Sequence, residues 1–419
     1  MPIYNPSPLK TVFMRFEDSE QEIGMINIIQ LGCYIPHTSA QEWNFISIHE
    51  MLLSASATDM LLRQSSSHLC LNTTRSVDGT RFLPFPLVHP PASCPSIGVP
   101  SSSFSMKLLG TLAAVIPALG LLARAYSLAD NVVGSGFYNA FDWETMADPS
   151  NGRVQFLDQQ TSKSRNLTYA TSDTFILRAD FQTVLDPRGP GRDSFRIKSK
   201  KSYTTHVAVF DVRHMPEGCA TWPAIWEVKE TEWPGSGEVD IVEGINDHGP
   251  NLSALHTAQG CSMPSSRAQS GYSGQQDCST TPADHTGCTV HYPTANSFGP
   301  SFNSAGGGWY AFERAQDHMK VWFWSRNDGS VPGEVKMGRP EINPSNWGTP
   351  TAFFPNTSCD FSQHFKEHNI IINLTLCGDW AGQFFNQNGC PGQCADYVNN
   401  NPSAFRNAYF EFASMRVYQ

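Results

Sequence analysis

Short stretches in which apolar and polar residues alternate recur along the chain from residue 173 onward. They include "DTFILRAD" (173–180), "SFRIKSK" (194–200), "THVAVFDVRH" (205–214), "GEVDIVEG" (237–244) and "SALHTA" (253–258). "HMKVWFWSR" (318–326), "NIIINLTLC" (369–377) and "YFEFASMRVYQ" (409–419) continue the series. Each is rich in β-branched and aromatic residues, and clusters of Gly, Pro, Asn and Ser separate them. A period of two with this punctuation predicts strands, and many short strands without helical periodicity predict an all-β sandwich or barrel. In "HMKVWFWSR", Trp322 and Trp324 share one face while Val321 and Phe323 share the other. Apolar residues on both faces predict a strand covered on both sides. The two tryptophans are therefore read as packing residues.

One apolar run has a different character. "MKLLGTLAAVIPALGLLARAYS" (106–127) has one Lys after a Met, an apolar stretch interrupted by Pro117, and then Ala123-Arg124-Ala125. A basic start, an apolar centre and a small-x-small exit describe a secretory signal peptide. A membrane-spanning helix needs roughly 20 unbroken apolar residues. The expected organisation is thus a signal peptide at 106–125 and a mature domain at 126–419. Residues 1–105 have mixed composition and no sustained period, and are read as a doubtful N-terminal extension, a gene-model artefact.

The cysteines fit that division. Of 11, Cys33, Cys70 and Cys94 precede Met106, and the other eight follow it. An even set in a secreted chain predicts disulfides, whose pairing the sequence leaves open. A zinc site at Cys390 and Cys394 lacks a second matching pair. Four sequons, at Asn166, Asn251, Asn356 and Asn373, also follow the predicted cleavage point and mark a glycoprotein; Asn373 lies in an apolar run. The formal charge of −10 offers no basic surplus for nucleic acid or an anionic membrane.

Only 16% of residues are charged, yet Glu238, Asp240 and Glu243 crowd into "GEVDIVEG". The tryptophan-rich "TWPAIWEVKETEWPGSG" (221–237) precedes them. A solvent-facing strand edge would account for isolated acids, but edges are normally guarded by Lys or Pro. On a plain strand Glu238 and Asp240 share a face with Val242, and Glu243 points the other way. A β-bulge that absorbs Val242 or a neighbour would bring all three acids together, and bulges are enriched beside active sites. Paired carboxylates next to sugar-stacking aromatics suit glycoside hydrolysis. A retaining enzyme needs carboxyls about 5–5.5 Å apart. The two glutamate Cα atoms would lie about 13 Å apart at ~3.3 Å per residue, so the side chains must lean together across a bent strand.

"GEVDIVEG" resembles the E-x-D-x-x-E signature of glycoside hydrolase family 16. "YTTHVAVFDVRHMPEGCATWPAIWE", "GGGWYAFER", "NWGTPTAFFPNT" and "NIIINLTLCGDWAG" are similar to secreted endo-1,3(4)-β-glucanases (laminarinases) of basidiomycete fungi, over essentially all of 126–419. The resemblance implies a concanavalin-like β-jelly-roll sandwich with a concave substrate cleft. It implies retaining endo-hydrolysis of β-1,3 and mixed-linkage β-1,3/1,4-glucans, with Glu238 as nucleophile, Glu243 as general acid/base and Asp240 between them. Trp226 and Trp233, with Trp222, would wall the cleft. Arg196 would meet glucose hydroxyls, His256 would orient Glu243 or meet the leaving sugar, and Trp380 would add a subsite. The expected partner is a β-glucan polysaccharide, bound by a secreted monomer without cofactor or metal. A cell-wall transglycosylase and a glucan-binding lectin are the alternatives.

Overall fold

The computed structural model describes residues 125–419. The extension at 1–105, its three cysteines and all but the last residue of the expected signal peptide lie outside the described residues. Among the described residues, no helix is long and apolar enough to cross a membrane.

The alternating stretches form two antiparallel sheets. One has eight strands, in the order Tyr272–Ser273, Cys288–His291, His248–His256, Glu238–Ile245, Thr221–Val228, His368–Leu376, Arg196–Tyr203 and Phe141–Trp143. The other has nine. Its spine runs Tyr126–Val132, Tyr409–Tyr418, His206–His214, Gly308–Arg314 and His318–Ser325, and Phe175–Arg178 and Thr168–Ala170 branch from Tyr409–Tyr418. Both sheets mix hairpin neighbours with pairs far apart in sequence, such as Thr221–Val228 beside His368–Leu376 and His206–His214 beside Tyr409–Tyr418, as a jelly-roll requires.

The inward residues of both sheets make one core. Ile225, Val239, Ile241, Val242, Leu255, Ile370 and Ile372 from the first meet Phe210, Val212, Tyr310, Phe312, Phe410 and Phe412 from the second, all fully buried. Trp322 and Trp324 lie on the opposite face of the second sheet. They form a separate cluster with Trp309 and Trp347, so this strand is covered on both sides as its pattern predicts.

Two features depart from the sequence reading. "TWPAIWEV" is a strand, Thr221–Val228, although Pro223 interrupts its run of donors. Pairing to the neighbouring acid strand ends at Ala224, so the missing Pro223 N–H is not needed there. Glu227 of this strand points inward, fully buried, with Oε1 2.8 Å from His206 Nε2.

The eight cysteines after Met106 form four disulfides, Cys219–Cys390, Cys261–Cys359, Cys278–Cys288 and Cys377–Cys394. Cys390 and Cys394 thus serve two different bridges, not a metal. Of the sequons, Asn166 and Asn356 are exposed, whereas Asn251 and Asn373 are buried.

Candidate active site

The site begins with a register shift on Glu238–Ile245. Against Thr221–Val228, Asp240 pairs with Trp226 and Val242 with Ile225, which leaves Ile241 unopposed. Against His248–His256, Asp240 pairs with Ala254 and Glu243 with Leu252, so Ile241 and Val242 together face Ser253. This is the β-bulge that the spacing of acids demands. Its geometric effect is that Val239, Ile241 and Val242 all enter the core, while Glu238, Asp240 and Glu243 all remain on the cleft face.

Side chains of the return strand hold the bulge. Asn251 Oδ1 accepts from Glu243 N at 3.0 Å, and its Nδ2 donates to Ile241 O at 3.0 Å. Ser253 Oγ donates to the same carbonyl at 3.0 Å and meets Tyr292 Oη at 3.0 Å. Asn251 and Ser253 are fully buried. Sequence reasoning missed both. The signal was present: alternation in "HGPNLSALH" puts Asn251, Ser253 and Leu255 on one face, two polar residues aimed into a core.

Gly237 enters the strand at φ +77°, and a Cβ there would stand 2.4 Å from the Phe365 ring. Gly287 backs His256: at φ +65° its Cβ would fall 2.4 Å from Leu255 O and 2.8 Å from His256 Nδ1. Only glycine meets both demands at these places.

Around the acids, Trp222 Nε1 donates to Glu243 Oε1 at 2.8 Å. His256 Nε2 lies 3.0 Å from Asp240 Oδ2, a close charge contact whose alignment falls short of a hydrogen bond. The Trp233 indole donates to Glu238, and its ring stacks parallel on His285 at 6.2 Å while 41% exposed. Trp226 Nε1 donates to Asn373 Oδ1 at 2.7 Å. Trp380 meets Trp222 edge-on at 5.7 Å. His256 therefore sits against Asp240, and the side chain that grips Glu243 is Trp222.

Arg196 is placed differently from the expectation. Its Nε donates to Glu144 at 2.8 Å and its Nη2 to Glu230. Lys198 bridges the same two carboxylates at 2.6 and 2.8 Å. The Arg196 guanidinium lies 5.0 Å from the Trp226 ring and is nearly buried. Those two donors face carboxylates, and the guanidinium buttresses Trp226 from beneath the cleft wall.

Burial pushes all three acids up, each to about 8. The Asp240 charge raises Glu238 and Glu243 further, while His256 and the two indole donors pull them back. Three carboxylates in one desolvated patch cannot all ionise, so the cluster holds protons at neutral pH and titrates as a unit. A face that keeps a carboxylic acid beside a carboxylate can donate a proton and supply a nucleophile. The ligand atoms of Glu238, Asp240 and His256 lie within 4.8 Å of one another, a spacing a cation would tolerate. Metal ligands must be deprotonated, and this patch favours protons.

The family described as "XgeA-like, catalytic GH16 domain" matches residues 141–418. The chain is 60% identical to a GH16 laminarinase of Phanerochaete chrysosporium, with a TM-score of 0.70 over 71% of this chain and all of that one. That enzyme is described with 6-O-glucosyl-laminaritriose in both donor and acceptor sites. An elongating family 16 β-1,3-glucosyltransferase is 34% identical, with a TM-score of 0.65 over 70% of this chain and all of that one. A probable endo-1,3(4)-β-glucanase of Aspergillus clavatus is 40% identical over 307 residues, which are 71% of this chain and 47% of that protein. The chain spans about half the length of most of the curated relatives it matches. With the match covering nearly the whole β-sandwich, including the bulged acid strand, the chain belongs to glycoside hydrolase family 16.

Proposed function

We propose that this protein is a secreted, retaining endo-glucanase that cleaves β-1,3 and mixed-linkage β-1,3/1,4-glucans. The observation that carries the reading is the bulge that puts Glu238, Asp240 and Glu243 on one face. Glu243, held protonated by burial, donates its proton to the glycosidic oxygen. Glu238 attacks the anomeric carbon and forms a glycosyl-enzyme ester. Water then enters, Glu243 takes its proton, and the sugar leaves with its original configuration. Asp240 steadies Glu238 by sharing charge and protons with it, and His256 packs against Asp240. Trp226, Trp233, Trp222 and Trp380 present ring faces and edges to glucose units along the cleft. The buttress of Arg196 and Lys198 keeps Trp226 in place. Four disulfides and the fungal glucanase relatives support an extracellular working place.

Glu238→Ala tests the assignment. The variant should lose turnover on laminarin, and azide should restore bond cleavage as a glycosyl azide of inverted configuration. Near-wild-type activity of Glu238→Ala would refute it. Transglycosylation is the second reading, favoured by the likeness to a glucosyltransferase and by the Trp222–Trp380 pair beside the acid/base. Longer products at high oligosaccharide concentration would establish it, since a sugar then intercepts the ester in place of water.

A further inference from the structure

On the nine-stranded sheet, the face turned away from the core carries an open depression of about 240 Å³ lined by Tyr169, Ile176, Arg178, Phe181, Tyr409 and Glu411, with Arg406 at its rim. Alternation puts these side chains there: Phe175, Leu177, Phe410 and Phe412 point inward and are fully buried, and the residues between them point out. The acid cluster faces away from the same core on the other sheet, so the two surfaces lie on opposite faces of the sandwich.

The depression is a built aromatic shelf. Tyr409 stacks flat on His214, with ring centroids 3.7 Å apart and planes 3° apart. The Arg178 guanidinium lies 4.1 Å from the Phe181 ring and 5.5 Å from Tyr409. Its Nη2 is fixed by Arg406 O at 2.7 Å, while its Nε is buried without a partner. Tyr169 projects from the edge, 53% exposed. The exposed Arg406 guanidinium, 5.3 Å from the Phe181 ring, and the Glu411 carboxylate line the same small aromatic surface, a donor and an acceptor that suit a neutral ligand able to do both. The small volume, below the range of pockets that enclose drug-sized ligands, suits one sugar ring in place of a peptide, and Tyr169 is the large apolar side chain it exposes.

We infer that this shelf is a second carbohydrate-binding site, which takes a glucose unit of a β-glucan chain and holds the enzyme on its polymer. This rests on the reading of the cleft as a glucanase site only for the identity of the polymer. Rings stack on the apolar face of the pyranose, and Arg406 and Glu411 pair with neighbouring hydroxyls. A second contact on the same particle makes cleft binding effectively intramolecular.

The test is retention on insoluble β-1,3-glucan particles in a Glu238→Gln background, which prevents digestion. Adding Tyr169→Ala and Arg406→Ala should weaken retention about tenfold, as the loss of one ring contact and one guanidinium contact implies. Tyr169→Trp should strengthen it. On the otherwise wild-type chain, hydrolysis of short soluble laminari-oligosaccharides should stay within about twofold, because the cleft is untouched. Unchanged retention, an equal loss on soluble substrates, or a self-association in sedimentation that Tyr169→Ala abolishes would each overturn the proposal. A wild-type chain that fails to cleave the oligosaccharides would refute the glucanase reading, while retention still reports on the shelf.

Discussion

Asn251→Ala tests whether the bulge, and not merely the presence of three acids, makes the site. The substitution removes the acceptor for Glu243 N and one of two donors to Ile241 O. Ser253 Oγ still serves that carbonyl. Two net hydrogen bonds are worth about 1 kcal/mol each, and a buried N–H deprived of its acceptor costs about 1–3 kcal/mol more. The sum is about 3–5 kcal/mol. A domain of this size has an unfolding entropy of about 0.6 kcal/mol per kelvin, so the melting temperature should fall by about 5–8 °C. The effect on chemistry should be larger. Without its anchor the strand relaxes toward plain pairing, which turns Glu243 from the cleft, and a displacement of about 1 Å at a reacting group costs about a hundredfold. Steady-state kinetics on laminarin should show kcat down at least about a hundredfold with KM little changed, because the tryptophan walls remain. Ser253→Ala should cost about 1 kcal/mol and little rate. If Asn251→Ala melts early but keeps kcat within about threefold, the amide is structural only and the reasoning about the bulge is wrong.

Glu238→Gln should melt higher than wild type between about pH 5 and 8, with the gap closing below pH 4. Its folded pKa of about 8 stands above its unfolded value, so the native state holds a proton that the unfolded chain releases, and wild-type stability falls as pH rises through that window. A gap that stays constant with pH would contradict the raised pKa. Trp222→Phe removes the donor that favours ionised Glu243, so the alkaline limb of kcat/KM should move to higher pH; an unmoved limb would mean that Glu243 is not the acid. Dialysis against EDTA should leave laminarin hydrolysis unchanged, and loss restored by a divalent cation would show that Glu238, Asp240 and His256 hold a metal.

The sandwich was legible because its strands alternate, and the need for a bulge was legible because Glu238 and Glu243 have the wrong parity for one face. The strand Thr221–Val228 was harder to see, since Pro223 and its tryptophans read as a lead-in and its inward polar residue, Glu227, is matched by His206 across the core. The partners of Arg196 stand 52 and 34 residues away, and no local pattern encodes them. Asn251 was hidden by a competing motif, because Asn-Leu-Ser reads as a glycan acceptor long before it reads as a strut.

That competition has a consequence for how the chain is made. A glycan attaches to the side-chain nitrogen of asparagine, and in Asn251 that nitrogen is the atom bonded to Ile241 O, with no exposed surface around it. Any molecule modified there during synthesis is barred from closing its catalytic strand. If the chain enters the secretory pathway, as proposed, the glycosylation machinery and the folding chain compete for one atom. Active product comes only from molecules in which the hairpin of 238–256 pairs before the transferase reaches it. The yield of working enzyme is then a matter of timing in the cell, and a faster-closing hairpin would raise it without altering a single residue in the cleft.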